Sequence, residues 1–141
     1  MATVKEILYS ILTADAQLTG GGELGDLLGK SSDAPFGVYF AFKPDDPNPS
    51  YITYFITGKG EQKPENIFLN ITAWGNNYEA ILSRIRTLLH VDAGKNSNSF
   101  TGATDYSVKY FEFEIEFPET FDDDLKVYNQ TIRFQIKGWR L

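Results

Sequence analysis

Four groups of residues in this sequence have types that could do chemistry. Gly25 to Ser31 reads GDLLGKS, close to the glycine-rich loop that cradles nucleotide phosphates. That loop needs four residues between its glycines, so that successive backbone N–H groups converge on the phosphates. Gly25 and Gly29 enclose only three, and Leu24 stands where the first glycine is required. The segment also follows a helical pattern instead of a buried strand, so a plain loop is expected. His90 is the single histidine. It falls in the last turn of a predicted helix, where the helix dipole favours a charged imidazole. A Ser-His-Asp arrangement would have to use it, and no nucleophile-elbow sequence accompanies it.

Glu112, Glu114 and Glu116 alternate with Phe and Ile, which reads as the solvated face of a strand. Asp122, Asp123 and Asp124 are contiguous and lack the spaced ligands and glycine of a calcium loop. The absence of cysteine excludes disulfides, thiol chemistry and thiolate metal sites. The expectation is therefore no catalytic, cofactor-binding or metal-ligating residue, no cofactor, and no enzyme.

The elements that position these groups follow from periodicity. Val4, Ile7, Leu8, Ile11 and Leu12 recur at helical spacing and predict a short amphipathic helix over 3–14. Residues 15–30 are glycine-rich and read as a loop, with one helical turn around Leu24, Leu27 and Leu28. Residues 37–42 (GVYFAF) and 51–57 (YITYFIT) have the β-branched and aromatic content of strands. Between them KPDDPNPS holds Pro44, Pro47 and Pro49, which force an extended connection. Residues 66–74 (NIFLNITAW) alternate and pair with 51–57 as a hairpin whose tip, 58–65, is polar.

Tyr78, Ile81, Leu82, Ile85, Leu88 and Leu89 form one stripe of a second helix over 76–91, with Asn76 or Asn77 as its cap. A small polar loop (92–105) leads to a closing hairpin of 106–117 and 130–139. The loops at 43–50, 58–65 and 94–105 are expected to be ordered by neighbouring subunits. The order is thus α-β-β-β-α-β-β: an α+β fold, a mostly antiparallel sheet with two helices packed on it, in a single domain, 1–141.

The chain has 141 residues, 42% hydrophobic and 15% aromatic, and a net charge of −6. That is ample for a core without metals or disulfides. The acidic balance argues against a protein that coats nucleic acid, because phosphate affinity depends on clustered Lys and Arg. No apolar run approaches a signal peptide or a membrane span, so a cytoplasmic start is expected. Lys126, Arg133, Lys137 and Arg140 form a basic stretch after the acidic one from Glu112 to Asp124. Cross-strand pairing explains this better than a nucleic-acid patch. Trp139 falls on the polar face, as an edge cover or an interface anchor.

Taken together, an opening helix (VKEILYSIL), a proline-containing connection into a strand (DDPNPSYITYFI), an alternating strand (NIFLNITAW), a helix ending in paired leucines (EAILSRIRTLLH) and a closing hairpin (YFEFEIEF, TIRFQIKGW) resemble a known family. The chain is similar, over essentially its full length, to the tail terminator (tail completion) proteins of long-tailed bacteriophages and phage-derived particles. The resemblance is one of pattern and order, without a short signature motif. It implies a structural virion protein, a ring (usually a homohexamer) at the head-proximal end of the tail tube. Such a ring stops tube polymerisation and presents the surface that docks the head connector. Its partners would be its own copies, the tail tube protein and head connector proteins, with DNA only as cargo through the lumen and no membrane. It would reside in the virion, after assembly in the host cytoplasm. The alternatives are another head–tail connector or tube-like ring protein, and a small cytoplasmic ligand-binding domain.

The closing hairpin also invites a register. Apolar residues of one parity in both strands must share a face. The choice that pairs charges sets Glu116 opposite Arg133, Glu112 opposite Lys137 and Glu114 opposite Gln135. It also sets Phe117 beside Ile132, Ile115 beside Phe134 and Phe113 beside Ile136.

Overall fold

The structure, a computed structural model, describes residues 3–14, 38–40, 50–58, 67–75, 77–89, 103–123 and 126–140. Its elements are α1 (Val4–Ala14), β1 (Val38–Phe40), β2 (Tyr51–Gly58), β3 (Ile67–Trp74), α2 (Tyr78–Thr87), β4 (Tyr106–Glu116), β5 (Thr120–Asp122) and β6 (Val127–Arg140). The α+β class and the two helices match the sequence expectation. One strand is added, the short β5. The sheet runs β1-β2-β3-β6-β4, with β5 beside β6. All pairings are antiparallel except β1 with β2.

One sheet face is apolar and carries both helices. Ile52 and Tyr54 of β2, Ile67, Leu69 and Ile71 of β3, and Ile132, Phe134 and Ile136 of β6 are buried there. They join Val4, Leu8 and Leu12 of α1 and Ile81, Leu82 and Ile85 of α2 in one core. Full burial of each large side chain contributes roughly 1.5–3 kcal/mol, so this face holds the layers together.

Local chemistry sets the helix starts. Thr3 and Glu6 form a reciprocal capping box: the Glu6 N–H donates to Thr3 Oγ1 (3.3 Å) and the Thr3 N–H to Glu6 Oε1 (3.4 Å). The Val4 N–H donates to the Asp105 carboxylate (3.0 Å), tying α1 to the approach to β4. The Tyr54 hydroxyl donates to the Lys5 carbonyl at 3.1 Å. Burial, with Tyr9 adding to it, pushes the Tyr54 phenol above its ordinary range.

Of the two expected caps of α2, Asn76 lies outside the described residues. Asn77 occupies the N-cap position without a side-chain cap hydrogen bond; its Oδ1 instead accepts from the Ser50 hydroxyl at 2.9 Å. The turn into α2 rests on Gly75, whose φ of 123° favours a residue without Cβ. The Gly75 N–H donates to the Tyr128 carbonyl at 2.8 Å.

The expected register of the closing hairpin is overturned. At its tip, Thr120 faces Asn129 and Asp122 faces Val127, which is the expected register. It slips by one residue between Thr120 and Glu116, and slips further going up β4, where extra residues enter between Phe113 and Ile115 and again between Val108 and Tyr110. Each bulge sets two residues against one and shifts everything beyond it. Glu116 already faces Ile132 and Ile115 faces Arg133 before the first bulge, and beyond it Glu112 faces Gln135, Phe113 faces Phe134 and Phe111 faces Ile136. The bulge at Glu114 also reverses parity: Ile115 is exposed, and Glu116 turns to the helix side.

Candidate functional site

The sequence names no catalytic, cofactor or metal residue, and of the acidic residues it weighs Glu112, Glu114, Glu116 and Asp123 are exposed. Gly25 to Ser31, His90 and Asp124 lie outside the described residues, as do nearly all of the loops at 43–50, 58–65 and 94–105 and the side chain of Trp139. Asp122 serves the hairpin turn: its carbonyl accepts from the Lys126 N–H at 2.7 Å, with Lys126 at φ 58°. Glu112 reaches Lys137 at 3.1 Å, so that expected ion pair forms, as a diagonal contact. Among the described residues no group of three His, Asp or Glu side chains is placed to hold a metal ion. None of their helices is long and apolar enough to cross a membrane.

Two surfaces remain. The first is the sheet face away from the helices. Strand pairing lines up Thr53, Thr72 and Thr131 across β2, β3 and β6. Thr72 and Thr131 share a 2.7 Å hydroxyl contact, and the Trp74 indole N–H donates to Thr53 Oγ1 at 3.0 Å. The next row sets Phe55, Asn70, Arg133 and Ile115 side by side. Arg133 Nε–H donates to Asn70 Oδ1 at 2.9 Å, and the guanidinium lies 5.2 Å from the rings of both Phe68 and Phe117. Cation–π attraction and one charge-assisted hydrogen bond thus hold it in place. Asn70 is 3% exposed, and its Nδ2 has no hydrogen-bond partner among the described residues.

The second surface is a groove of about 770 Å³ on the helix side, between α2 and the β4–β6 flank. Its floor is Leu82, Phe113 and Phe134, the two rings meeting edge to face at 5.8 Å. Exposed Glu79 stands on the α2 side, with exposed Glu116 and Glu119 on the other. Arg86 lies over the Phe113 ring at 4.0 Å. Tyr78, at the groove end, is 6.5 Å from Tyr128, and Tyr128 is 4.9 Å from Phe121. Phe121 and Tyr128 are 46% and 45% exposed, so the aromatic floor continues into solvent beyond the groove.

Sequence reasoning missed Asn70, the Phe121–Tyr128 pair and the groove. A polar residue at mid-strand in NIFLNITAW is a signal for Asn70. The groove has none, because its walls come from α2, from β4 and β6, and from Glu119 in the connection after β4. What the two surfaces offer chemically is recognition by charge, aromatic faces, hydroxyls and amide groups.

No family model and no curated protein matches the chain. Among solved structures, a chain of the virion of a native gene transfer agent particle is similar, with a TM-score of 0.59 and 13% identity. The likeness covers 96% of this chain and 94% of that chain. At that identity it is a likeness of fold, spanning almost the whole of both chains.

Proposed function

We propose that this chain is a structural protein of a phage-type particle, a single-domain subunit of a ring that caps the head-proximal end of a tail tube. The observation that carries this reading is the fold shared, nearly end to end, with a chain of a gene transfer agent virion. It is supported by the sequence resemblance to tail terminators and by surfaces suited to binding. Copies of the chain form the ring, a homohexamer by that resemblance; the ring ends tube polymerisation and offers the head connector a surface. The tail tube protein and the connector are its other partners. DNA passes through the lumen as cargo, and a net charge of −6 repeated around a ring would repel its phosphates. The work is assembly in the host cytoplasm and residence in the virion, without catalysis. Mass in solution combined with negative-stain imaging tests the ring: closed rings, free or on tail ends, are expected. A compact monomer that also fails to bind tails would contradict it.

A further inference from the structure

We propose that the open face of the sheet holds a carboxylate-binding site centred on Arg133, and that its occupant is an extended segment of a different protein with an acidic side chain between two apolar ones. Among the described residues the Arg133 guanidinium has one polar partner, the Asn70 Oδ1 that accepts from its Nε–H. None of its nitrogens is both buried and unpartnered, so the two terminal NH2 groups of the fork are open to solvent. They have no counter-ion among the described residues of a chain with 19 Asp and Glu. Phe68, which faces Gln135, and Phe117, whose N–H donates to the Thr131 carbonyl at 2.9 Å, flank the guanidinium along β6. Each ring lies 5.2 Å away. The fork is thus fixed before a ligand arrives, which spares the entropy that a free Arg side chain loses on binding.

The unmet groups here are all donors. Beside the fork the Asn70 Nδ2 is buried without a partner among the described residues, while the Thr72 and Thr131 hydroxyls in the next row satisfy each other. What is missing is an acceptor, and a planar carboxylate fits a guanidinium fork with two parallel N–H···O bonds. The row supplies the rest of the selectivity. Phe55 at one end and Ile115 at the other are 41% and 44% exposed, with Asn70 and Arg133 between them. Strands about 4.8 Å apart separate these two ends by about 14 Å. Alternate side chains of an extended peptide share a side at a spacing of about 7 Å. A segment of the form apolar-x-Glu-x-apolar therefore reaches both ends and brings its carboxylate to the fork. A second copy stacked on this face about a two-fold axis would set donors against donors, so the occupant is a different protein. The site does not require the ring reading, and the ring does not require the site.

The test is titration of the full chain with the blocked pentapeptide Leu-Thr-Glu-Thr-Leu, followed by calorimetry and at the Arg133 Nε–H resonance. Saturable binding that moves this resonance is expected. The Gln counterpart of the peptide should bind at least about tenfold more weakly. So should the Glu peptide to Arg133→Lys, which keeps the charge and loses the fork. Phe55→Ala and Ile115→Ala, at exposed positions, should each weaken the peptide about threefold with unchanged unfolding midpoints and unchanged binding of acetate. These two variants decide the matter even where Arg133→Lys fails to fold. Absence of binding, equal binding of the Gln peptide, or indifference to both alanine substitutions would overturn the proposal. Tighter binding of inorganic phosphate than of the Glu peptide would also overturn it, by making this a phosphate site. So would loss of self-association on adding the peptide, which would make a second copy the occupant. Rings that form without any peptide binding would sink the site and leave the ring standing; binding by a chain that never forms rings would do the reverse.

Discussion

Arg133 on β6 donates its Nε–H to the Asn70 side-chain oxygen on β3 across 2.9 Å, at the middle of the sheet face that carries no helix. Glu116 faces Ile132 on the helix side, so the register sets it on the face opposite Arg133. A half-buried guanidinium takes a fixed amide acceptor and two ring faces in place of an exposed carboxylate. Asn70→Ala removes the acceptor and leaves the guanidinium half-buried. It should destabilise by about 1–3 kcal/mol in denaturant unfolding, and a double-mutant cycle with Arg133→Ala should show coupling. Additive effects would mean that the two side chains act independently.

The Glu112–Lys137 pair is of another kind. Its side chains are 54% and 34% exposed, so its coupling should be about 0.2–1 kcal/mol and should fall with added salt. Coupling above that range, or insensitive to salt, would contradict the solvent-screened geometry.

Phe134 is 1% exposed and sits among the core residues. Phe134→Ala should cost about 3–5 kcal/mol, enough to unfold or disassemble a marginal domain. Phe113 is only partly buried against the core, and Phe113→Ala should cost less than Phe134→Ala. Glu116→Ala should stay within about 0.5 kcal/mol. Thermal melts of the three variants give the order directly, and a silent Phe134→Ala would refute the placement of the core.

Tyr54 links stability to alkaline pH. Its phenol is held protonated above the ordinary value near 10 by burial and by Tyr9. Above that value the unfolded chain releases a proton that the folded chain retains. Stability should therefore fall as pH rises through the unfolded value and onward to the folded one. Tyr54→Phe should remove this fall and also lose the hydrogen bond to Lys5, lowering stability at neutral pH by about 0.5–1.5 kcal/mol. An unchanged alkaline unfolding profile in Tyr54→Phe would assign the effect to other groups.

The legible parts of the fold were those where one period runs unbroken. The stripe from Val4 to Leu12 becomes the buried side of α1, and the alternation of Ile67, Leu69, Ile71 and Ala73 becomes the core face of β3. In β4 the same alternation misleads. FEFEIEF keeps its two-residue period through Glu114, yet an extra residue enters there and Ile115 leaves the core side. Nothing in the letters marks that bulge, because backbone twist and the hydrogen bonds to β6 decide where it forms. β5 escaped for a different reason: three residues just after Pro118 are too short for a periodic signal. The groove needs the contact between α2 and the hairpin, which only tertiary packing brings about.

The measurement that bears most directly on the ring reading is the length of tails made by particles whose gene for this chain is deleted, seen by electron microscopy. The account predicts tails of irregular, mostly excessive length that fail to join heads, with normal tails restored when the chain is supplied. Tails of normal length joined to heads in its absence would contradict it.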